Sequence, residues 1–271
     1  MKRLLARSWS SIILLLVSAW LLFPVYVMVK ISLSNTAAIL AEHPTLGMHT
    51  ITFAHWHAVL TSGTLLAPLG KSAGTAALVV LITLAVALPG AYGMVHLRRP
   101  AQYSILGALF LIRMLPDVAI AQPIAGWYSR FGLTDTIIGL ACAQTIRVIP
   151  VAVWIMLEVF RSIPKEIEEH AALDGCSRLR SLVSIVLPMS LSGISVAAIF
   201  AWLLSWDEFT YALYLSLAKP TLPLVVYYYL NRGSWFSVAS YAVIITIPVI
   251  IITYALQKYI REGYTAGAVK G

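Results

Sequence analysis

What most limits the folds open to this chain is a set of apolar runs, each about as long as a bilayer is thick. They cover residues 11–29, 72–95, 103–128, 136–160, 189–217 and 240–260. A helix needs roughly 20 mostly apolar residues to cross a hydrocarbon core of ~30 Å, and each run meets that length. Of the 271 residues, 60% are hydrophobic and 11% charged, whereas soluble domains carry about a quarter charged residues. The expected fold is an all-α integral membrane protein, a single domain over residues 1–271 with six transmembrane helices. Pro24, Pro89, Pro116, Pro123, Pro150 and Pro248 fall inside the runs and predict kinks.

The first run follows Lys2, Arg3 and Arg7, as the apolar core of a signal peptide does. It is longer than the roughly 7–15 residues of such a core and no small-x-small site follows it, so it reads as a retained anchor. The net charge of +8 would raise nucleic acid in a soluble protein. Here it is better explained by the excess of Lys and Arg on the cytoplasmic side of membrane proteins. With the N-terminus inside, 12 of the 19 Lys and Arg fall in cytoplasmic segments and five in outer ones, with Arg113 and Arg147 inside runs. Both termini are therefore expected in the cytoplasm, and residues 161–188 form a cytoplasmic loop between the fourth and fifth spans. Cys142 and Cys176 make no disulfide framework.

That loop is unlike the rest of the chain. In "RSIPKEIEEHAALDG", Ser162 is a reasonable N-cap, Pro164 suits a first turn, and Glu166, Glu168 and Glu169 suit the positive helix end. Gly175 supplies the stop. The spacing predicts a short helix over 164–174, roughly 16 Å long, whose Ala171, Ala172 and Gly175 leave low relief. A second helix follows, with Leu179, Leu182, Val183, Val186 and Leu187 on an apolar face, and ends at Pro188. Composition alone leaves two readings: an amphipathic connector lying on the inner membrane surface, or a docking element for a cytoplasmic partner.

The residues of this loop resemble the EAA loop of ATP-binding-cassette (ABC) importer permeases. That pattern runs Glu-Ala-Ala, three residues, Gly, nine residues, Ile, any residue, Leu-Pro. Glu169, Ala171, Gly175, Ile185, Leu187 and Pro188 fall on it at the right spacing, with His170 in place of the first alanine. "SWDEFTYAL" is similar to the Ser-Trp-Asn-Glu-Phe stretch of maltose-type carbohydrate permeases, with Asp207 where Asn is usual, and "GYTAGAVKG" resembles their C-terminal end. The resemblance implies the smaller, six-span subunit of a permease pair in a bacterial-type inner membrane. It implies three partners: a second permease, an ATPase dimer docking on 161–188 and the C-terminal tail, and an extracytoplasmic sugar-binding protein. The coupling residues it implies are Glu166, Glu169, His170, Ala171, Asp174, Gly175, Ile185, Leu187 and Pro188. ATP and Mg are expected on the ATPase, with no cofactor, metal or catalytic residue in this chain and no nucleic-acid partner. Gly70-Lys71-Ser72 ends like a phosphate-binding loop, but the preceding glycine is Gly63, out of register for that motif.

Ionisable groups inside spans are functional candidates because lipid penalises them. Arg113 and Asp117 lie four apart and are expected to pair along one helix face. Arg147 has no acid within reach on its own span, and an acid from another span, such as Asp207, is the candidate partner. Asp207 and Glu208 lie among Trp202, Trp206 and Tyr211, aromatic faces beside carboxylates, which suits a carbohydrate path. The alternatives are the same architecture for a polyamine or glycerol phosphate, or an ion-coupled secondary transporter using Asp117, Asp207 and Glu208 as a relay. Secondary transporters usually carry internal repeats, and none is found in this sequence.

Overall fold

The computed structural model describes residues 2–39, 46–48 and 51–268. Among these the architecture is helical, with one isolated antiparallel bridge between Ser34 and Ile51. Besides a single turn at Thr36–Ile39, the helices are α1 (Lys2–Leu33), α2 (Ala54–Thr61), α3 (Leu66–Val95), α4 (Arg99–Met114), α5 (Asp117–Arg130), α6 (Ile137–Arg161) and α7 (Lys165–Leu173). They continue with α8 (Arg178–Met189), α9 (Leu191–Trp206), α10 (Thr210–Leu215), α11 (Leu222–Asn231) and α12 (Trp235–Ala268). The chain divides into two compact units, one of Met1–Leu66 with Val225–Pro248, the other of Ala67–Leu224 with Val249–Gly271.

In the first unit, the most apolar window of α1, within Ser11–Leu33, buries none of its residues inside the chain. A helix apolar on every side fits lipid as its solvent. Its C-terminal end is held by polar contacts: Trp56 Nε1 donates to Ser32 Oγ at 3.3 Å and Thr52 N to Leu33 O at 2.7 Å. His55 stacks on Phe236 at 4.5 Å, and Thr64 Oγ1 lies 2.7 Å from the Tyr241 hydroxyl.

The second unit holds the continuous core. Ala87, Ala91, Met94, Met156, Leu157 and Val186 are buried together. Helix α9 packs closely on α6 at Gly193, where a Cβ would come within 2.4 Å of Val159. Close approach at a small residue is the usual means by which membrane helices associate, since lipid offers them no hydrophobic drive.

Among the described residues, four helices are long and apolar enough to cross a membrane unbroken. The runs at 103–128 and 189–217 differ from the expected continuous helices: the first bends between α4 and α5, and the second stops at Trp206 and resumes as α10 at Thr210. Helices α4 and α5 meet at 80°, and α8 and α9 at 82°. At the first break Leu115 is extended (φ −66°, ψ 140°) and Pro116 follows it, because a residue before proline is pushed out of the helical region. Yet Pro24, Pro89, Pro123, Pro150 and Pro248 all lie within continuous helices.

Candidate functional site: the loop over 161–188 and the polar break after α9

Helix α7 begins at Lys165 after Pro164, whose extended backbone (φ −60°, ψ 132°) occupies the N-cap position without a side-chain bond. Ser162 is not that cap, contrary to expectation. It closes α6 instead, its Oγ donating to Val159 O at 2.7 Å. At the other end Gly175 has φ +79°, a region that suits glycine. Gly175 N donates to Ala172 O at 3.0 Å and Cys176 N to Ala171 O at 2.9 Å, the paired bonds of a Schellman stop.

The two faces of α7 differ sharply. Ala171 is buried and Ile167 half-buried, while Glu166, Glu169, His170, Asp174 and Gly175 are exposed and Leu173 is 84% exposed. In α8 the expected apolar face is split. Leu182 and Val186 join the core and Leu187 packs against it, but Leu179 is 71% and Val183 56% exposed. Residues 182–186 form a π turn, with Leu187 N reaching back to Leu182 O. Pro188 follows with no N–H to give, so the widened turn lies where the regular ladder loses a donor. Ile185 and Leu187 are half-buried and Pro188 is exposed at this joint.

Glu168 and Arg161 tie the loop to the end of α3, the turn after it and α4. Glu168 Oε2 accepts from the Tyr92 hydroxyl at 2.8 Å and lies 3.1 Å from His96 Nε2. Arg161 donates to Gln102 Oε1 and lies over the Tyr103 ring. Gln102 Nε2 donates to Leu97 O at 2.8 Å. His96, Gln102, Arg161 and Glu168 border a cavity of 360 Å³ that Arg99 and Lys165 also line. Sequence reasoning read Glu168 only as an acid near a helix start and missed Tyr92, His96 and Gln102. Separations of 59 to 76 residues leave no local signal for them.

The intramembrane charges are paired differently from the expectation. Arg113 and Asp117 do not share a helix face, because the chain breaks between them at Leu115 and Pro116. Asp117 instead accepts from Arg147 on α6, which also corrects the expectation of Asp207 as the partner of Arg147. Arg113 Nη1 is buried with no hydrogen-bond partner.

Asp207 and Glu208 lie beyond the end of α9 rather than within it, and they have opposite surroundings. Glu208 is 8% exposed. Its Oε1 accepts from Tyr211 N at 2.7 Å, and its Oε2 from Gln144 Nε2 at 3.1 Å and Ala212 N at 3.3 Å. It therefore closes the start of α10, where an anion is favoured. Gln144 in turn accepts from Ser205 Oγ at 2.6 Å. Asp207 is exposed and borders a cavity of 450 Å³ with Arg147, Phe200, Leu204, Phe209 and Thr210, which Glu208 also reaches. Trp206 and Tyr211 are buried, and Trp202 stacks on Trp206 at 5.6 Å. None of these three borders that cavity.

Lys71 and Ser72 lie on helix α3, not on a phosphate-cradling loop. Lys71 Nζ donates to Ser216 Oγ at 2.8 Å and to the carbonyls of Asp135 and Lys219. Ser72 Oγ accepts from Leu222 N at 2.9 Å. Among the described residues no three His, Cys, Asp or Glu gather where a metal ion would bind.

Residues 80–265 match the family described as "Binding-protein-dependent transport system inner membrane component". Among curated relatives, the trehalose transport system permease protein SugB of Mycobacterium tuberculosis is 28% identical, over 94% of this chain and 95% of that one. A putative ABC transporter permease protein, ORF1 of Streptomyces antibioticus, is 34% identical over 84% and 99%. The trehalose/maltose transport system permease protein MalG of Thermococcus litoralis is 29% identical over 92% of each. Among solved structures, a chain of a bacterial ABC transporter that imports the acidic polysaccharide alginate superimposes with a TM-score of 0.76 at 20% identity, covering 95% of this chain and 96% of that one. A second structure of an alginate transporter, in complex with an alginate-bound periplasmic protein, gives a TM-score of 0.68 at 14% identity, covering 94% of each chain.

Proposed function

This chain belongs to the binding-protein-dependent transport system inner membrane component family, and on that premise we propose that it is the smaller permease of an ATP-driven sugar importer. It forms half of a translocation path with a second permease, both termini in the cytoplasm. An ATPase pair, which holds the ATP and Mg, docks on residues 161–188 and on the C-terminal tail, whose last residues, 269–271, lie outside the described residues. A sugar-binding protein delivers substrate from outside. The names of the relatives support a neutral di- or oligosaccharide such as trehalose or maltose.

The observation that carries this reading is the two-faced helix α7. One side is fixed to the membrane helices through Glu168 and Ala171, while Glu169, His170, Leu173 and Asp174 stand free at a rigid, Schellman-closed end. A short helix presented in this way suits a groove on a partner. Closure of the ATPase pair would then reach the spans as rigid-body motion. Asp207 and Arg147, with Phe200 and Phe209, offer an acceptor, a donor and two ring faces at one cavity, which suits hydroxylated rings. The secondary-transporter alternative is weakened at two of its three relay acids, since Glu208 is fully hydrogen-bonded and Asp117 is paired.

The test is uptake of labelled trehalose and maltose by vesicles holding both permeases and the ATPase, with the binding protein present. Uptake is expected to require ATP and to survive collapse of the proton gradient. Uptake that persists without ATP and disappears with the gradient would overturn the proposal.

A further inference from the structure

We propose that Glu168, Tyr92 and His96 form a coupling strut that carries the movement of α7 into α3. Glu168 and its contacts in α3 are thus positioning residues for transport, separate from the face that meets the ATPase. The inference rests on the reading of α7 as the ATPase-docking helix.

The covalent connections of α7 reach only two membrane helices directly. Residues 162–164 join it to α6, and α8 joins it to α9. Helix α3 ends at Val95 and has no such connection. Glu168 supplies one. A single oxygen of its carboxylate meets the Tyr92 hydroxyl at 2.8 Å and His96 Nε2 at 3.1 Å. Both partners are firmly held. Tyr92 is 7% exposed and lies edge-on to Phe160 at 6.1 Å. His96 Nδ1 lies 2.8 Å from the Tyr92 carbonyl, which orients the ring.

The position of Glu168 within α7 strengthens the argument. Glu166, Glu168 and Glu169 share the start of one short helix, and the outer two are exposed. An acid needed only to complement the positive end of the helix would serve as well in water. Glu168 is turned inward instead, against a phenol and an imidazole from a distant part of the chain. Hydrogen bonds to a charged carboxylate are about twice as strong as neutral ones. The Tyr92 hydroxyl donates one. A protonated His96, serving the Tyr92 carbonyl with Nδ1–H, donates a second from Nε2–H, so that direction is fixed as well as distance. The Arg161 bond to Gln102 ties α4 at the neighbouring point. A tilt of α7 therefore pulls on the cytoplasmic ends of α3 and α4 together with α6 and α9.

A strut that transmits motion makes a prediction that a mere staple does not. When it is cut, the ATPase should still bind and turn over, but fewer sugar molecules should cross per ATP. The experiment uses the complete transporter in vesicles, with trehalose and maltose as probes, and measures uptake and ATP hydrolysis on the same preparation. Tyr92→Phe removes the donor and keeps the ring packing; Glu168→Ala removes the acceptor. Each is expected to lower sugar transported per ATP by about tenfold, with ATPase co-purification unchanged. The double variant should be no worse than Glu168→Ala alone, because both cut one link. An unchanged ratio overturns the proposal, as does a parallel fall of uptake and hydrolysis or a loss of ATPase binding in Tyr92→Phe. If the unaltered complex shows no ATP-dependent uptake, the proposed function itself has failed, which is a distinguishable result.

Discussion

At the break between α6 and α9, Glu169, His170 and Asp174 are exposed and Leu173 is 84% exposed. At the other polar break, after Trp206, Glu208 is 8% exposed and accepts three hydrogen bonds. Both breaks place acids beside a short helix: the first engages Glu168 with Tyr92 and His96 but leaves Glu169 and Asp174 exposed, and the second consumes Glu208 within the fold. Charge in a membrane chain is thus a poor guide to function until its partners are counted. A carboxylate with its acceptor sites filled is architecture, and one held open on a rigid support is available to another molecule.

The contrast can be broken most forcefully at Gly175. Its φ of +79° and the bond from its N–H to Ala172 O are both incompatible with proline. Gly175→Pro is expected to cost the local structure about 3 kcal/mol, or about a hundredfold in ATPase association, while the chain still reaches the membrane. Co-purification of the ATPase from solubilised membranes measures this, and normal recovery would show that the shape of the helix end is irrelevant to docking.

A different effect is expected at the second break, where it falls on stability rather than on docking. Glu208→Ala strands Gln144 and the N–H groups of Tyr211 and Ala212, at about 1–3 kcal/mol for each buried group left unpaired. Asp207→Asn, one residue away, changes an exposed side chain and is expected to move stability by less than about 0.5 kcal/mol. Thermal unfolding of the two variants in detergent, side by side, checks the difference. Equal losses would erase the distinction between a spent and an open acid.

Much of this fold is visible in the linear pattern. The runs beginning at Ser11, Ser72 and Thr136 become α1, α3 and α6 almost without adjustment, and the run from Ser240 lies within α12. The joint between α8 and α9 was expected after Pro188, but the bend between α4 and α5 was not visible, because proline has no single outcome. Pro89 and Pro150 sit inside unbroken helices, while Pro116 follows an extended residue and starts a new helix. Tertiary neighbours decide which carbonyls are re-satisfied. The same break explains the misread pair at Arg113 and Asp117, since spacing of four means a shared face only on a continuous helix.

In the loop, the pattern from Glu169 to Pro188 was readable because the order of residues along a short segment sets the helix, its stop and its joint. The link from Glu168 to Tyr92 and His96 was not. It depends on how α7 packs beside α3, and 76 residues separate Glu168 from Tyr92. The partnership of Arg147 with Asp117 was hidden for the same reason, and so was the burial of Trp206 and Tyr211.

The central claim is that the exposed face of α7 is where the ATPase docks. Leu173 tests it most directly, being 84% exposed and so free to change without disturbing the fold. With Leu173→Asp, a charge would have to be buried in the partner's groove. ATPase retained on the purified permease pair is expected to fall at least about tenfold, with the amount of this chain in the membrane unchanged. Full retention of the ATPase together with normal ATP-driven uptake would contradict the account.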